Sequence, residues 1–332
     1  MNARRVGILV VGLVLVAPQA AAHVPAFPAD NTTPERAVVV PDPAKSWSFY
    51  DSLDPGETAY YRMTLSSDER LVVSTFTPTA GPFTPSVVVM SPSLNTTGAV
   101  PPGVTVPDGM GAVVVAGERP ADPSYEMFAP SVNYRTAAYE RPVAAETEYV
   151  VAVYEPANRS GQVGVVVGYE EKFSPTEYLT VPFSLVRTHL WEGQHPLVVY
   201  GPWLVTLTAG AALVRARRRD GWDRRPLRYG LAAAALLVVG SGVSTVLQMG
   251  VALAETGPTP AALVTAVYAV VPLVCGGWAL RLSLRDALRL PVRTRVGLVV
   301  AGLLALVTWA GFIAGPVALL ALAGTPRRFV AS

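Results

Sequence analysis

Residues 57–65 read ETAYYRMTL. Ala59, Tyr61, Met63 and Leu65 fall on one side of an extended chain, and Tyr60, Arg62 and Thr64 on the other. This is the two-residue period of a strand with one buried face, not the 3.6-residue period of a helix. The same alternation returns in QVGVVVGYE, residues 162–170, with Val163, Val165, Val167 and Tyr169 on one side. Shorter β-branched runs lie between and around them: RLVVSTF, PSVVVM, GAVVVAG and EYVVAVYE. Turn-forming stretches separate these runs, among them DPGE, SPSLNTTG, VPPGV and VPDGMG. No segment from 23 to about 180 shows a convincing helical period. About nine strands in this length predict an all-β, antiparallel two-sheet sandwich.

The remainder of the chain has a different character. Of 332 residues, 51% are hydrophobic and only 15% charged, a balance that points to a membrane protein. The net charge of +2 conceals a segregation: residues 23–194 carry 20 acidic and 10 basic side chains, and residues 195–332 carry 4 and 14. The basic residues sit in short loops between apolar spans, so nucleic acid is not an expected partner. The single cysteine, Cys275, lies in one of those spans. It excludes an intrachain disulfide, a cysteine-based zinc site and a CxxC redox site.

Arg4 and Arg5, the apolar run 6–16 and the small residues Ala20, Ala21 and Ala22 have the layout of a secretory signal peptide, residues 1–22. An exported β-domain, 23–180, and a juxtamembrane segment, 181–195, follow. Four predicted spans then occupy 196–332: 196–214, 231–254, 261–280, and 296–314 or longer. The loop RARRRDGWDRRPLR carries seven arginines, RLSLRDALRLPVRTR carries five, and ETGPTP carries none. By the positive-inside rule the arginine-rich loops, 215–228 and 281–295, are cytoplasmic, and residues 23–195 are extracellular. The last stretch, 296–324, is long for one span and short for two, and is read as a single crossing. Trp191, Tyr200 and Trp203 are placed in the interfacial belt of the first span.

No catalytic motif of the GxSxG, HExxH, P-loop or GxGxxG kind occurs. Asp51, Asp54 and Glu57 could offer carboxylates to calcium, although a DPG turn already accounts for Asp54. Ten tyrosines lie in the β-domain, Tyr60, Tyr61, Tyr134 and Tyr139 among them, and suit either a stacking face or ordinary strands. Of five asparagines, three head N-x-S/T sequons: Asn31, Asn95 and Asn158. Surface glycosylation and plain turn chemistry both explain them. The polar set Ser241, Ser244, Thr245 and Gln248 on the second span, beside Gly240 and Gly242, reads as helix packing.

The three histidines are His23, His189 and His195. Cleavage after Ala22 leaves His23 as the first residue, whose amine and ring nitrogen would chelate Cu(II), with His189 and His195 as further ligands. Copper is the one cofactor this pattern suggests. The simpler reading makes His23 only the residue after a cut.

The stretch SLDPGETAYYRMTLSSDERLVVSTF, a DPG turn leading into a Tyr-rich strand and then a β-branched one, resembles the pre-peptidase C-terminal domain, a small β-sandwich of secreted proteins. EYVVAVYEPANRSGQVGVVVGYE matches its closing pair of strands. Residues 80–145 are longer than that domain has. PDPAKSW, AVYEP and HLWEGQ extend a resemblance to a group of multi-span membrane proteins, mostly archaeal, that implies architecture and supplies no activity. The expected protein is a non-enzymatic envelope protein held in the lipid bilayer. Its extracellular β-domain binds a partner protein or a glycan, or the chain is an accessory subunit of a membrane complex. Copper handling is the alternative. A transporter or channel is disfavoured, because the spans lack ionisable side chains.

Overall fold

The computed structural model describes residues 23–219, 226–285, 288 and 290–326. The expected signal peptide, parts of both arginine-rich loops and the tail from 327 lie outside the described residues. The chain divides into two compact units, the first β-rich and ending at Tyr178, the second helical from Leu179 onward.

Among the described residues the β-unit has eleven strands: β1 (Val24–Ala26), β2 (Val38–Val39), β3 (Trp47–Leu53), β4 (Thr58–Leu65), β5 (Arg70–Thr77), β6 (Ser86–Ser91), β7 (Gly111–Val115), β8 (Ser124–Glu126), β9 (Ser131–Pro142), β10 (Thr147–Tyr154) and β11 (Gly161–Val167). One sheet has the order β1-β3-β11-β5-β9-β8 and the other β2-β4-β10-β6-β7. The expected pattern was wholly antiparallel, but β1 pairs with β3 and β2 with β4 in parallel. Both are edge strands of two or three residues, too short to show any period in sequence.

The alternation read in residues 57–65 holds. Ala59, Tyr61, Met63 and Leu65 join Val163, Val165 and Val167 in the core between the sheets, with Phe49, Val89 and Val151. The opposite face of β4 is buried as well. Tyr60 forms a second core with Val88, Met90, Val150 and Ala152. Residues 92–110, the long connection between β6 and β7, lie over this face as a strap, bringing Val100, Val104, Val106 and Met110 onto it. Those small and β-branched side chains cover a sheet face that water would otherwise reach, at about 25 cal/mol per Å² of apolar surface removed.

The helical unit follows: α1 (Pro175–Trp191), α2 (Pro196–Arg219), α3 (Pro226–Thr256), α4 (Ala262–Ser283), α5 (Val292–Val307) and α6 (Ala314–Ala323). The segment expected as a juxtamembrane linker is mostly helix α1. It opens on a capping box, with Ser174 N–H donating to Glu177 Oε2 at 2.7 Å and Glu177 N–H to Ser174 Oγ at 3.3 Å. Pro175 takes the first helical position, where its missing N–H costs nothing.

Among the described residues three helices, α2, α3 and α4, are long and apolar enough to cross a membrane. Glycines set their packing. A Cβ on Gly240 would meet Trp203 of α2 at 2.8 Å, and one on Gly242 or Gly276 would meet the α3–α4 contact at 2.7–2.9 Å. Such small residues let helices approach where lipid offers no hydrophobic drive.

The fourth apolar stretch, expected as one crossing, is two helices with a break between them. It is a helical hairpin, α5 and α6 running antiparallel. Arg295, in the first turn of α5, donates to the carbonyl of Ala323, the last residue of α6, at 2.7 Å. Gly302 faces Pro316 and Leu320 in the same register. Between the helices Trp309, Gly311, Phe312 and Ile313 all have positive φ. Pro316 fixes the break, because within a continuous helix its ring would clash with the carbonyl of Phe312. In the first turn of α6 the same ring is tolerated. Hydropathy measures how long an apolar run is and not whether it turns back.

Candidate functional site

Residues 92–110 are the part of the β-unit least like a minimal sandwich. Connections this long are usually binding loops or lids unless they are disordered linkers. This one is tightly fastened. Thr105 N–H donates to Tyr60 Oη at 2.8 Å, Thr58 Oγ1 donates to the Gly103 carbonyl at 3.3 Å, and Thr97 N–H donates to the Ala112 carbonyl at 2.8 Å. Gly111 lets the strap close down: a Cβ there would stand 1.9 Å from the Leu94 carbonyl oxygen. The fastening turns the apolar side chains inward and leaves residues 95–99, 102, 103 and 105 exposed. The result is an exposed rim on a rigid base.

Two of the three acidic residues read as a calcium candidate are occupied by their own surroundings. Asp51 Oδ2 accepts from Tyr61 Oη at 2.7 Å and from Asn31 Nδ2 at 3.1 Å, and its Oδ1 accepts from Ser52 N–H at 2.8 Å. Burial and the neighbouring Asp51 carboxylate push the Tyr61 phenol well above its ordinary range. Glu57 accepts from Asp54 N–H at 2.8 Å and closes the DPG turn. Tyr60, Tyr61 and Tyr134 are buried and Tyr139 is half-buried against the core, so these tyrosines are strand residues and not a stacking face.

The three sequons separate. Asn95 and Asn158 are exposed, and Asn158 has φ of 54°, the left-handed turn geometry that asparagine tolerates. Asn31 is 3% exposed and its amide is spent on Asp51. A glycan on Asn31 is incompatible with this packing.

Each histidine also has a local partner. His23 Nδ1 is hydrogen-bonded to Ser46 Oγ. Burial, with the Arg135 charge assisting, pushes the His23 imidazole down to about 4. His195 is exposed, and its Nδ1 accepts from Leu197 N–H at 3.2 Å at the start of α2. Among the described residues, no group of three or more His, Cys, Asp or Glu side chains is arranged to hold a metal.

His189 belongs to a set that the sequence did not assemble. It is buried, and its Nδ1 lies 3.0 Å from Glu192 Oε2. Gln194 Nε2 donates to the same carboxylate oxygen at 3.1 Å, and Gln194 Oε1 accepts from Gln248 Nε2 at 2.9 Å. The chain imidazole–carboxylate–amide–amide ties the α1–α2 connection to α3. Gln248 Oε1 and Thr188 Oγ1 are buried beside it and have no partner among the described residues. His189 and Glu192 are a helical turn apart, which was legible; Gln248 is 54 residues from Gln194 in sequence, which was not.

The rest of the polar set on α3 packs helices. Ser241 Oγ accepts from Gly311 N–H at 2.8 Å, fixing the hairpin break against α3. Thr245 Oγ1 bonds back to the Ser241 carbonyl at 3.0 Å. Of the expected interfacial aromatics, Tyr200 is exposed and Trp191 half-buried. Trp203 is a packing residue, its ring 4.6 Å from that of Phe312 and over Gly240. Comparison with known proteins finds no family that the chain matches and no curated protein that it matches.

Proposed function

We propose that this is a non-enzymatic membrane protein of the cell envelope, whose extracellular β-unit binds a partner protein or a glycan through the exposed rim of the strap. The fastened strap is the observation that supports this reading. An irregular segment has been given its own apolar core and side-chain latches, as a recognition loop needs if it is to bind without first being ordered. Asp51, Glu57 and the tyrosines that suggested a calcium site or a stacking face hold the sandwich together. A photo-crosslinking residue at Ala99 or Pro102 of the full-length protein, in intact cells, is expected to capture a discrete partner that the same probe at exposed Glu146 does not. Equal labelling from all three positions, or none from the strap, rejects the strap as the binding surface.

In the same reading the arginine-rich loops are cytoplasmic, α2, α3 and α4 cross the membrane, and the α5–α6 hairpin enters and leaves on the cytoplasmic side. Arg327 and Arg328 then obey the positive-inside rule, which a single crossing would violate. In a Cys275→Ser background, a cysteine replacing Thr256 should be labelled from outside. Cysteines replacing Trp222 or Thr325 should be labelled only after permeabilisation. Outside labelling of Thr325→Cys alone would restore the fourth crossing.

A further inference from the structure

We infer that the arginine-rich end of the helical unit holds a specific site for an acidic phospholipid, its phosphate between Arg217 of α2 and Arg281 and Arg285 at the end of α4. The observation is a cavity of about 730 Å3 lined by these three arginines and by Leu213, Gly277 and Trp278, among others. Leu213 and Arg217 are one helical turn apart, as are Gly277 and Arg281, so each helix presents an apolar position and then a guanidinium on one face. Among the described residues no acidic side chain lines the cavity. Among the described residues none of the three arginines forms an ion pair.

The end of a helix is ordinarily a poor place for an anion, since the C-terminus carries about half an elementary negative charge. Here α4 ends on a cation. Arg228 is buried and donates to the carbonyls of Ser283 and Arg285. It takes up two carbonyl oxygens at this helix end, and Arg281 and Arg285 are left exposed. Three guanidinium groups then outweigh what remains of the helix-end charge. Guanidinium is also the side chain whose planar fork matches two phosphate oxygens.

The apolar half of the lining decides between a lipid and a free phosphate. Leu213 and Trp278 are exposed, and on α4 exposed Val270 and Val274 continue the apolar surface away from the arginines. An acyl chain would lie along that surface with its headgroup at the arginines, whereas inorganic phosphate gains nothing from it. A basic pocket between spanning helices is the arrangement that selects acidic headgroups.

The test uses the full-length protein in nanodiscs of phosphatidylcholine. The Trp278 fluorescence, taken as the difference between the wild type and Trp278→Phe, is quenched by a minor fraction of brominated phosphatidylglycerol or, separately, of brominated phosphatidylcholine. The expected preference for the acidic lipid is about fivefold or more, falling to near one in Arg217→Gln/Arg281→Gln/Arg285→Gln. Gly277→Leu supplies the control that keeps every arginine. A Cβ at Gly277 meets no heavy atom within 4 Å, so leucine fits there and fills the cavity. The preference should fall in this variant too. If it survives Gly277→Leu, the arginines act as a diffuse charged surface and the site is refuted. If inorganic phosphate at comparable concentration removes it, the occupant is free phosphate and not a lipid.

Discussion

The two units bury polar groups by opposite means. In the β-unit, buried side chains satisfy one another or a nearby loop: Asn31 and Tyr61 close on Asp51, Thr75 on Thr136 at 2.9 Å, and Glu155 on the N–H groups of Ala157 and Arg159. In the helices, hydroxyls turn back to carbonyls one turn earlier, as Thr206 does to Pro202, Thr245 to Ser241 and Thr308 to Leu304. Arg228 and Arg295 likewise donate to carbonyls at helix ends. The solvent explains the difference. A sandwich in water can leave a stray polar group to the solvent, so its buried networks are local and specific. A helix in lipid has no such recourse and places each group on a backbone partner, its own or that of a neighbouring helix. The His189–Glu192–Gln194–Gln248 chain is the exception, a side-chain network of the β-unit's kind inside the helical unit.

That exception carries the largest expected effect. Glu192→Ala removes the carboxylate on which His189 and Gln194 both close, and should destabilise the helical unit by about 3–5 kcal/mol, because two buried partners each lose a hydrogen bond to a charged group. Hydrogen exchange on the full-length protein in detergent should show faster exchange in α1 and α3 and none of it in β3, β4 or β11. A loss below about 1 kcal/mol would mean that water already fills the cluster. Next in size is Ser241→Ala, which leaves the Gly311 N–H without its acceptor at the hairpin break. The cost of such an orphaned group is about 1–3 kcal/mol, and exchange at residues 309–315 should report it. Tyr60→Phe makes the corresponding cut in the β-unit. It unfastens Thr105 N–H, but that group lies near water, so the loss should be only about 0.5–1.5 kcal/mol. Protease sensitivity should rise within residues 92–110 and nowhere else in the sandwich.

How much of this was legible follows from the same contrast. Strand periodicity placed Ala59, Tyr61, Met63 and Leu65 in the core, because one buried face imprints itself on every second residue. Hydropathy found α2, α3 and α4, because lipid demands an unbroken apolar run. The strap escaped, since Val100, Val104, Val106 and Met110 follow no repeat and acquire meaning only over Tyr60. The signal for α1 was present as Ser174-Pro175-Thr176-Glu177 and went unread among strand signals. The turn at Gly311–Pro316 was read through as a single crossing, because its direction depends on Ser241 and Arg295, which sequence proximity does not connect to it. Of the candidate site residues, the histidines were named correctly as rare and were grouped by rarity. Contacts group them otherwise: His189 sits with Glu192, and His23 with Ser46.

The smallest net effect expected in the parent is a pH dependence of the β-unit, and it concerns two groups displaced in opposite senses. Burial raises the Glu126 carboxyl to about 7 from 4.5, while burial lowers the His23 imidazole to about 4 from 6.5. Between pH 7 and 4.5 the folded chain holds more proton than the unfolded chain at Glu126, so this residue adds stability as pH falls. Between pH 6.5 and 4 the folded chain holds less at His23, so this residue removes stability as pH falls. In the shared window, pH 4.5–6.5, the two slopes oppose, and together they leave little net dependence. Each single variant should therefore show a slope that the parent hides. Glu126→Gln should make the β-unit less stable at pH 5 than at pH 6.5, and His23→Asn should make it more stable at pH 5. Urea midpoints followed by exchange in β3 and β11 would measure both. Parallel slopes in the two variants would mean that His23 and Glu126 are not displaced in opposite directions.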